Sequence, residues 1–376
     1  MPTPPSSTRR PRESPRRQAA GARHARRRTL RRRRLAALAL MVVIVGVLVA
    51  ALSGGGPSRA SHSAPRLPPH VGGGAQAQPQ PAPAAARPLP KPSAPFPVGI
   101  TVMRFVDRTR QIRLPDGATA PRTLVTYVRY PAAGAAGTDR VDAPPARTAG
   151  PFPLIVFGHG FDVTPGLYAG LMQAWARAGY VVAAPSFPLA TPAAPGGPTE
   201  VDLPNQPADM SFVISQMVRA SSAPSGRMSG LISGGEIAVA GQSDGGDTAL
   251  ALAYDPRFRD PRVRAAVILS GAEIPQLGAF TIRAGGPPLL ATQGTADPIN
   301  LPSATSAFYD TAPSPKYLLE LLGASHLPPY STQEPQLGVV ERASIAFLGH
   351  YLEHTPLKRL LAAGSVPGVA TLDADP

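Results

Sequence analysis

The chain has 376 residues, 48 of them proline and 37 glycine, no cysteine, and a formal net charge of +14. The lack of cysteine excludes a disulfide framework, a thiol nucleophile and a thiolate metal site. The charge would suggest a nucleic-acid binder, but residues 1–34 hold 13 Arg and one Glu, which leaves the other 342 residues near +2. The basic character therefore belongs to a terminal tail, the folded part is close to neutral, and the Arg run reads as a membrane-topology signal rather than a nucleic-acid arm.

The tail runs straight into LAALALMVVIVGVLVAAL, residues 35–52, an 18-residue stretch without charge. A membrane-spanning helix needs about 20 apolar residues, with a lower limit near 17, whereas a secretory apolar core has about 7–15. An Arg-rich flank before it and SGGGPS after it keep the N-terminus in the cytoplasm and send the rest outward. The run reads as a membrane anchor. The small residues Val49-Ala50-Ala51 leave a cleaved signal peptide as the alternative. Residues 53–97 form a Pro/Ala/Gly-rich linker that cannot build a core. Residues 98–376 form the globular part.

In that part strand and helix patterns alternate. GITVMRFV (99–106) and TLVTYVRYP (123–131) read as strands with no helix between them, so they are expected to pair antiparallel at one edge. PLIVFGHGF (153–161) is a continuous apolar run ending in glycine, the pattern of a buried strand. A helix is expected over 165–180, with Pro165 in its first turn and Leu167, Leu171 and Trp175 on one face. Trp175 reads as core rather than as a substrate platform. YVVAAPSFP (180–188) is the next strand, and ADMSFVISQMVRA (208–220) the next helix. The segment Pro188–Pro207 between them is irregular and is expected to fold over one side of the site. EIAVAG (236–241), VRAAVILSG (263–271), PPLLATQGT (287–295) and the start of KYLLELLGASH (316–326) complete the strands. DTALALAYD (247–255), SATSAFYDTA (303–312) and a segment within 334–354 complete the helices. The expected class is α/β, a mostly parallel central sheet with helices on both faces.

GQSDGG (241–246) contains the spacing G-x-S-x-G between a buried strand and a helix. That is the context of a nucleophile elbow. So tight a strand-to-helix turn demands small residues on both sides of Ser243, and Gly241 and Gly245 meet that need. Ser243 then stands at a helix N-terminus, whose dipole favours developing negative charge. A serine nucleophile needs a base, and the base an orienting acid. In this architecture they follow in the order Ser, acid, His. Of the downstream histidines, His350 and His354 lie in the last helix, while His326 lies in a loop after a strand. His326 is the expected base. Asp297 follows the strand PLLATQG and is the expected acid, with Glu273 as its rival; Asp255, Asp260 and Asp310 sit in or beside helices. Two N–H donors must receive the oxyanion. Asp244 N–H, just after the nucleophile, and Phe161 N–H, in the GHGF loop, are the expected pair. His159 precedes Ser243 and reads as structural.

The set GHGF, GQSDGG, GTADP and GASH, in this order, resembles the α/β-hydrolase superfamily. The lead-in TLVTYVRYP, the strand FPLIVFGHGF and the helix ADMSFVISQMV resemble the branch of platelet-activating-factor acetylhydrolases, chlorophyllases and bacterial cutinase-like polyester hydrolases. The resemblance covers residues 98–355. It implies an α/β-hydrolase fold and a serine carboxylic-ester hydrolase, with Ser243 as nucleophile, His326 as base, Asp297 as acid, and Phe161 and Asp244 as oxyanion donors. No metal-ligand cluster is visible in the sequence, and its glycine runs lack the Lys or the helix-opening GxGxxG that phosphate binding needs, so no cofactor and no metal is expected. Relatives in the branch tend to carry Met or Arg after the serine, so Asp244 departs from them.

About 17 residues separate the strands at Gly271 and Pro287, too few for a large cap domain. The expected partners are a small-molecule or lipid-like ester and, through residues 35–52, a membrane; no nucleic acid is expected, and the chain is expected to act as a monomer. The catalytic domain would be extracytoplasmic, anchored or secreted. An acyltransferase acting on a cell-envelope acceptor, or a non-catalytic surface binding module, are the alternatives.

Overall fold

The computed structural model describes residues 96–376, apart from 136–138, 275, 279–281 and 283–284. The tail read at 1–34, the apolar helix at 35–52 and all but the last two residues of the linker at 53–97 lie outside the described residues. Among the described residues no helix is long and apolar enough to cross a membrane.

Among the described residues ten strands form one sheet. In chain order they are β1 (Val98–Arg113), β2 (Thr119–Pro131), β3 (Arg140–Val141), β4 (Phe152–Gly158), β5 (Val181–Ser186), β6 (Ile232–Gln242), β7 (Val263–Leu269), β8 (Leu289–Gly294), β9 (Lys316–Leu321) and β10 (Ala370–Asp375). Their order across the sheet is β10-β9-β8-β7-β6-β4-β5-β2-β1-β3. The stretch from β5 through β4, β6, β7 and β8 to β9 is parallel. The first two strands pair antiparallel at one side, as their lack of a connecting helix requires.

The inner parallel strands β4, β5, β7 and β8 are buried on both faces almost throughout, which is why they read as continuous apolar runs, whereas β9 alternates between half-buried and buried residues. In β4, Leu154 and Val156 enter one core while Ile155 and Phe157 enter the other. Helices α2 (Gln206–Ser222), α3 (Asp244–Tyr254) and α4 (Pro302–Thr311) cover the first face. Helices α1 (Ala169–Arg177), α5 (Gln336–Glu353) and α6 (Lys358–Gly364) cover the second. Trp175 is completely buried there and donates its indole N–H to Ser344 Oγ at 2.8 Å. This is the α/β-hydrolase fold. Between β7 and β8 the described residues contain no helix or strand.

The elements differ from expectation mainly at their ends. The helix expected over 165–180 begins as a 3-10 turn at Pro165–Tyr168 and becomes α-helical only from Ala169 to Arg177. β6 starts at Ile232, through the SGG stretch that no apolar pattern marks. α6 and β10 were not expected. β10 reads ATLDAD, and its alternating exposure with two acidic residues is the profile of an edge strand.

The segment Pro188–Pro207, expected to be irregular, contains a 3-10 turn at Glu200–Asn205 and enters α2 at Gln206, and it is held at both ends. Asp162 N–H, beside the GHGF loop, donates to Ala190 O at 2.8 Å, and Thr248 Oγ1 on α3 donates to Gln206 Oε1 at 2.9 Å. Arg122 of β2, itself buried, grips Asp202 within the segment with two N–H groups at 2.8 and 2.6 Å, and Asp209, just past it on α2, with two more at 2.6 Å. A guanidinium suits this task because its donors are fixed in a plane that matches two carboxylates. The segment thus lies along one side of the strand ends that carry the site.

Candidate active site

Ser243 sits at the junction of β6 and α3 with φ 55° and ψ −130°, a left-handed backbone that is strained for a residue with a side chain. The glycines around it are sterically required. A Cβ on Gly241 would stand 2.0 Å from Gly245 O, and one on Gly245 would stand 2.1 Å from Gly158 O. The close approach of β4, β6 and α3 therefore tolerates nothing larger, and the turn lifts the Ser243 hydroxyl clear of the sheet.

His326 follows β9 and Asp297 follows β8. Their loops are stitched together: Ala296 N–H donates to Ala324 O at 3.0 Å, and Gly323 N–H to Thr295 Oγ1 at 2.8 Å. The result is a continuous line of contacts. His326 Nε2 is 2.9 Å from Ser243 Oγ, and His326 Nδ1 is 2.8 Å from Asp297 Oδ2. Asp297 is buried, and its Oδ1 accepts the N–H groups of Ile299 at 2.8 Å and Asn300 at 3.1 Å. Burial alone would raise this carboxyl. The hydrogen bonds from His326 and Ile299 outweigh it and hold the group below the ordinary carboxylate value.

Phe161 lies in the loop after β4, half-buried. Its neighbour Gly160 touches the elbow so closely that a Cβ there would lie 3.2 Å from Ser243 Cβ. Asp244 opens α3, where a first-turn N–H has no carbonyl four residues earlier to bond. Both N–H groups expected to receive an oxyanion thus belong to backbone that adjoins Ser243. The Asp244 carboxyl is pushed up to about 6, first by burial and then by the charge of Glu200; His326 and its own N–H oppose the shift. Its Oδ2 is shielded from solvent and has no hydrogen-bond partner.

The other described histidines lie elsewhere. His159 is fully buried, bonds Gly160 O through Nδ1 at 2.8 Å and receives Phe187 N–H at Nε2 at 3.0 Å. Burial pushes it down to about 4, so it is neutral and holds the loop's shape. His350 Nδ1 bonds Thr355 O at 2.6 Å, and His354 caps the end of α5 with φ 59°. The hydrogen bond of His326 Nδ1 goes to Asp297 rather than to the rival Glu273.

Several residues around the site carried no sequence signal. Gln293 Nε2 donates to Asp297 Oδ2 at 3.2 Å and to Asn300 O at 3.0 Å, while its Oε1 accepts Thr305 Oγ1 at 2.6 Å. Asn300 Nδ2 donates to Ser270 O at 2.7 Å. Gln242 sits at a variable position of the G-x-S-x-G spacing, and Tyr168 reads as an ordinary apolar helix residue.

A protein-family model described as Chlorophyllase matches residues 140–267. The match spans β3 to β7, and so includes the GHGF loop and the Ser243 elbow but ends before Asp297 and His326. It agrees with the resemblance to the chlorophyllase-like branch of the α/β-hydrolase superfamily. An ester hydrolase of the α/β-hydrolase type is what that similarity implies. No curated protein matches the chain.

Proposed function

We propose that the protein is a serine hydrolase that cleaves carboxylic esters through Ser243, His326 and Asp297. The observation that carries this reading is the unbroken run of contacts Ser243 Oγ, His326 Nε2, His326 Nδ1 and Asp297 Oδ2, at 2.9 and 2.8 Å. In the first half-reaction Ser243 Oγ attacks the ester carbonyl while His326 Nε2 takes its proton. Asp297, ionised, steadies the imidazolium. The oxygen of the tetrahedral intermediate gathers negative charge and is met by Phe161 N–H and Asp244 N–H, with the α3 dipole behind them. His326 returns the proton to the departing alcohol. An acyl group remains on Ser243. In the second half-reaction water takes the place of the alcohol, with His326 again as base, and the free acid leaves.

Such an enzyme would work outside the cytoplasm, tethered by residues 35–52 or released after cleavage of that segment. Its substrate would be a small-molecule or lipid-like ester. The test is turnover of a graded series of p-nitrophenyl acyl esters, with products resolved in the presence of an added alcohol. Rapid release of p-nitrophenol with free acid as the acyl product is expected. Acyl transfer to the alcohol in place of acid would make the protein an acyltransferase, and no turnover of any ester would overturn the reading.

A further inference from the structure

Gln242 is 1 % exposed and Tyr168 is fully buried. Tyr168 stays a phenol, because burial raises its hydroxyl far above its ordinary range. That hydroxyl has one proton to give. It accepts Gly160 N–H at 3.3 Å, so its own proton goes to Gln242 Oε1 at 2.7 Å. The amide is thereby oriented, and its NH2 must face the other way. There Gln242 Nε2 donates to His326 O at 3.1 Å and lies 3.3 Å from His326 Nε2, the nitrogen that faces Ser243. The space is tight: a Cβ on Gly160 would stand 3.0 Å from Gln242 Oε1 and 3.2 Å from Tyr168 OH.

We propose that Gln242 is a positioning residue which, oriented by Tyr168, holds His326 Nε2 as a proton acceptor facing Ser243. An amide N–H aimed at a ring nitrogen attracts its lone pair. Once that nitrogen carries a proton, two N–H groups face each other and the interaction turns repulsive. Gln242 therefore favours the neutral ring with its proton on Nδ1, toward Asp297. It also presses the imidazolium to pass its Nε2 proton onward. The charged groups that bear on the ring are Asp297 in contact and Asp244 at the start of α3. Asp297 favours the imidazolium, so the amide and the carboxylate act in opposite directions on one ring. The same relay reaches Gly160 and so ties the His326 loop to the loop of Phe161. The inference rests on His326 being the base of the proposed reaction.

The test uses the full chain. The imidazole Cε1–H resonance of His326, assigned with His326→Gln, is titrated by NMR in the wild type, Gln242→Leu, Tyr168→Phe and the double variant. The titration midpoint should rise by about 0.5–1 pH unit in each single variant, the size of one lost neutral hydrogen bond. The double variant should move no further than Gln242→Leu, because both changes cut one relay. Gln242→Glu, nearly isosteric, keeps the test available where leucine prevents folding; its carboxylate should raise the midpoint by at least about one unit. Midpoints that match the wild type, or single shifts that add in the double variant, would overturn the proposal. In parallel, the acid limb of kcat/KM against pH for p-nitrophenyl acetate should move in step. A protein that does not cleave esters but shows the NMR shifts would refute the esterase reading alone. Turnover with unmoved midpoints would refute the role of Gln242 alone.

Discussion

His326 Nδ1 stands 2.8 Å from Asp297 Oδ2, although the two residues belong to the loops of different strands. The contact exists because β8 and β9 are parallel neighbours in register, Gly294 beside Leu321, and their loops leave the sheet at the same end. Gly294 permits it. A Cβ there would stand 2.5 Å from Ala324 O and push the loops apart. Replacing Asp297 with Asn keeps the shape but removes the acceptor that fixes the ring's tautomer. On the proposed reading kcat should fall about 10³–10⁴-fold with little change in KM. Steady-state turnover of a p-nitrophenyl ester checks it, and a loss under about tenfold would remove Asp297 from the mechanism.

Asp297 also predicts an acid sensitivity. Its carboxyl is held below the ordinary value in the folded protein, so it stabilises the fold at pH values above the unfolded carboxylate range. That contribution is lost as pH falls through the lowered folded value. Thermal melts of the wild type and Asp297→Asn should therefore converge on acidification.

The Asp244 carboxyl predicts the opposite trend. Raised to about 6, it opposes folding once ionised. Its share of stability is complete below the unfolded value and fades as pH climbs from about 4 through about 6. Asp244→Asn should remove that decline and raise stability at neutral pH by on the order of 2 kcal/mol. Melting temperature against pH for the two proteins measures it; parallel curves would mean that the carboxyl is not under strain.

The elbow glycines should be intolerant in a way that depends on place rather than on residue type. Gly241→Ala and Gly245→Ala drive a methyl into backbone at 2.0 and 2.1 Å. Each should cost about 3 kcal/mol or more, or prevent folding. Gly235→Ala, in β6 with Gly241 but with nothing within 4 Å, should change stability by less than about 0.5 kcal/mol. Denaturant melts of the three variants separate the cases.

Much of this was legible in the sequence, and the reasons are local. Parallel strands buried on both faces must be apolar throughout, so PLIVFG and VRAAVIL declare themselves. The elbow demands glycine at fixed spacing, so GQSDGG stands out once a strand precedes it and a helix follows. The loops of Asp297 and His326 could be found because functional groups gather at the carboxyl ends of such strands. Gln242, Tyr168 and Gln293 could not. Their roles depend on which buried atoms meet across 4 to 84 residues, and glutamine or tyrosine carries no pattern that marks such a meeting. α6 and β10 were missed for a different reason. A short helix and a polar edge strand bury too little to impose a period on their residues.

The buried grip of Arg122 on Asp202 and Asp209 was equally silent, since the partners lie 80 and 87 residues away. Arg122→Met should leave the buried Asp202 without its cation and Asp209 with Arg110 alone, at 2.8 Å. A loss of about 3–5 kcal/mol is expected, with loosening of the Pro188–Pro207 segment first. Hydrogen exchange across 188–207 and a denaturant melt report both effects; a variant as stable as the wild type would contradict the account of how that segment is held.

The central claim is that Ser243 is an activated nucleophile. It is tested most directly by treating the full chain with a fluorophosphonate and mapping the adduct by mass spectrometry. One adduct per chain on Ser243 is predicted, with none on Ser243→Ala and labelling slowed at least about 100-fold in His326→Ala. Failure of the wild type to label, or an adduct on another residue that survives Ser243→Ala, would contradict it.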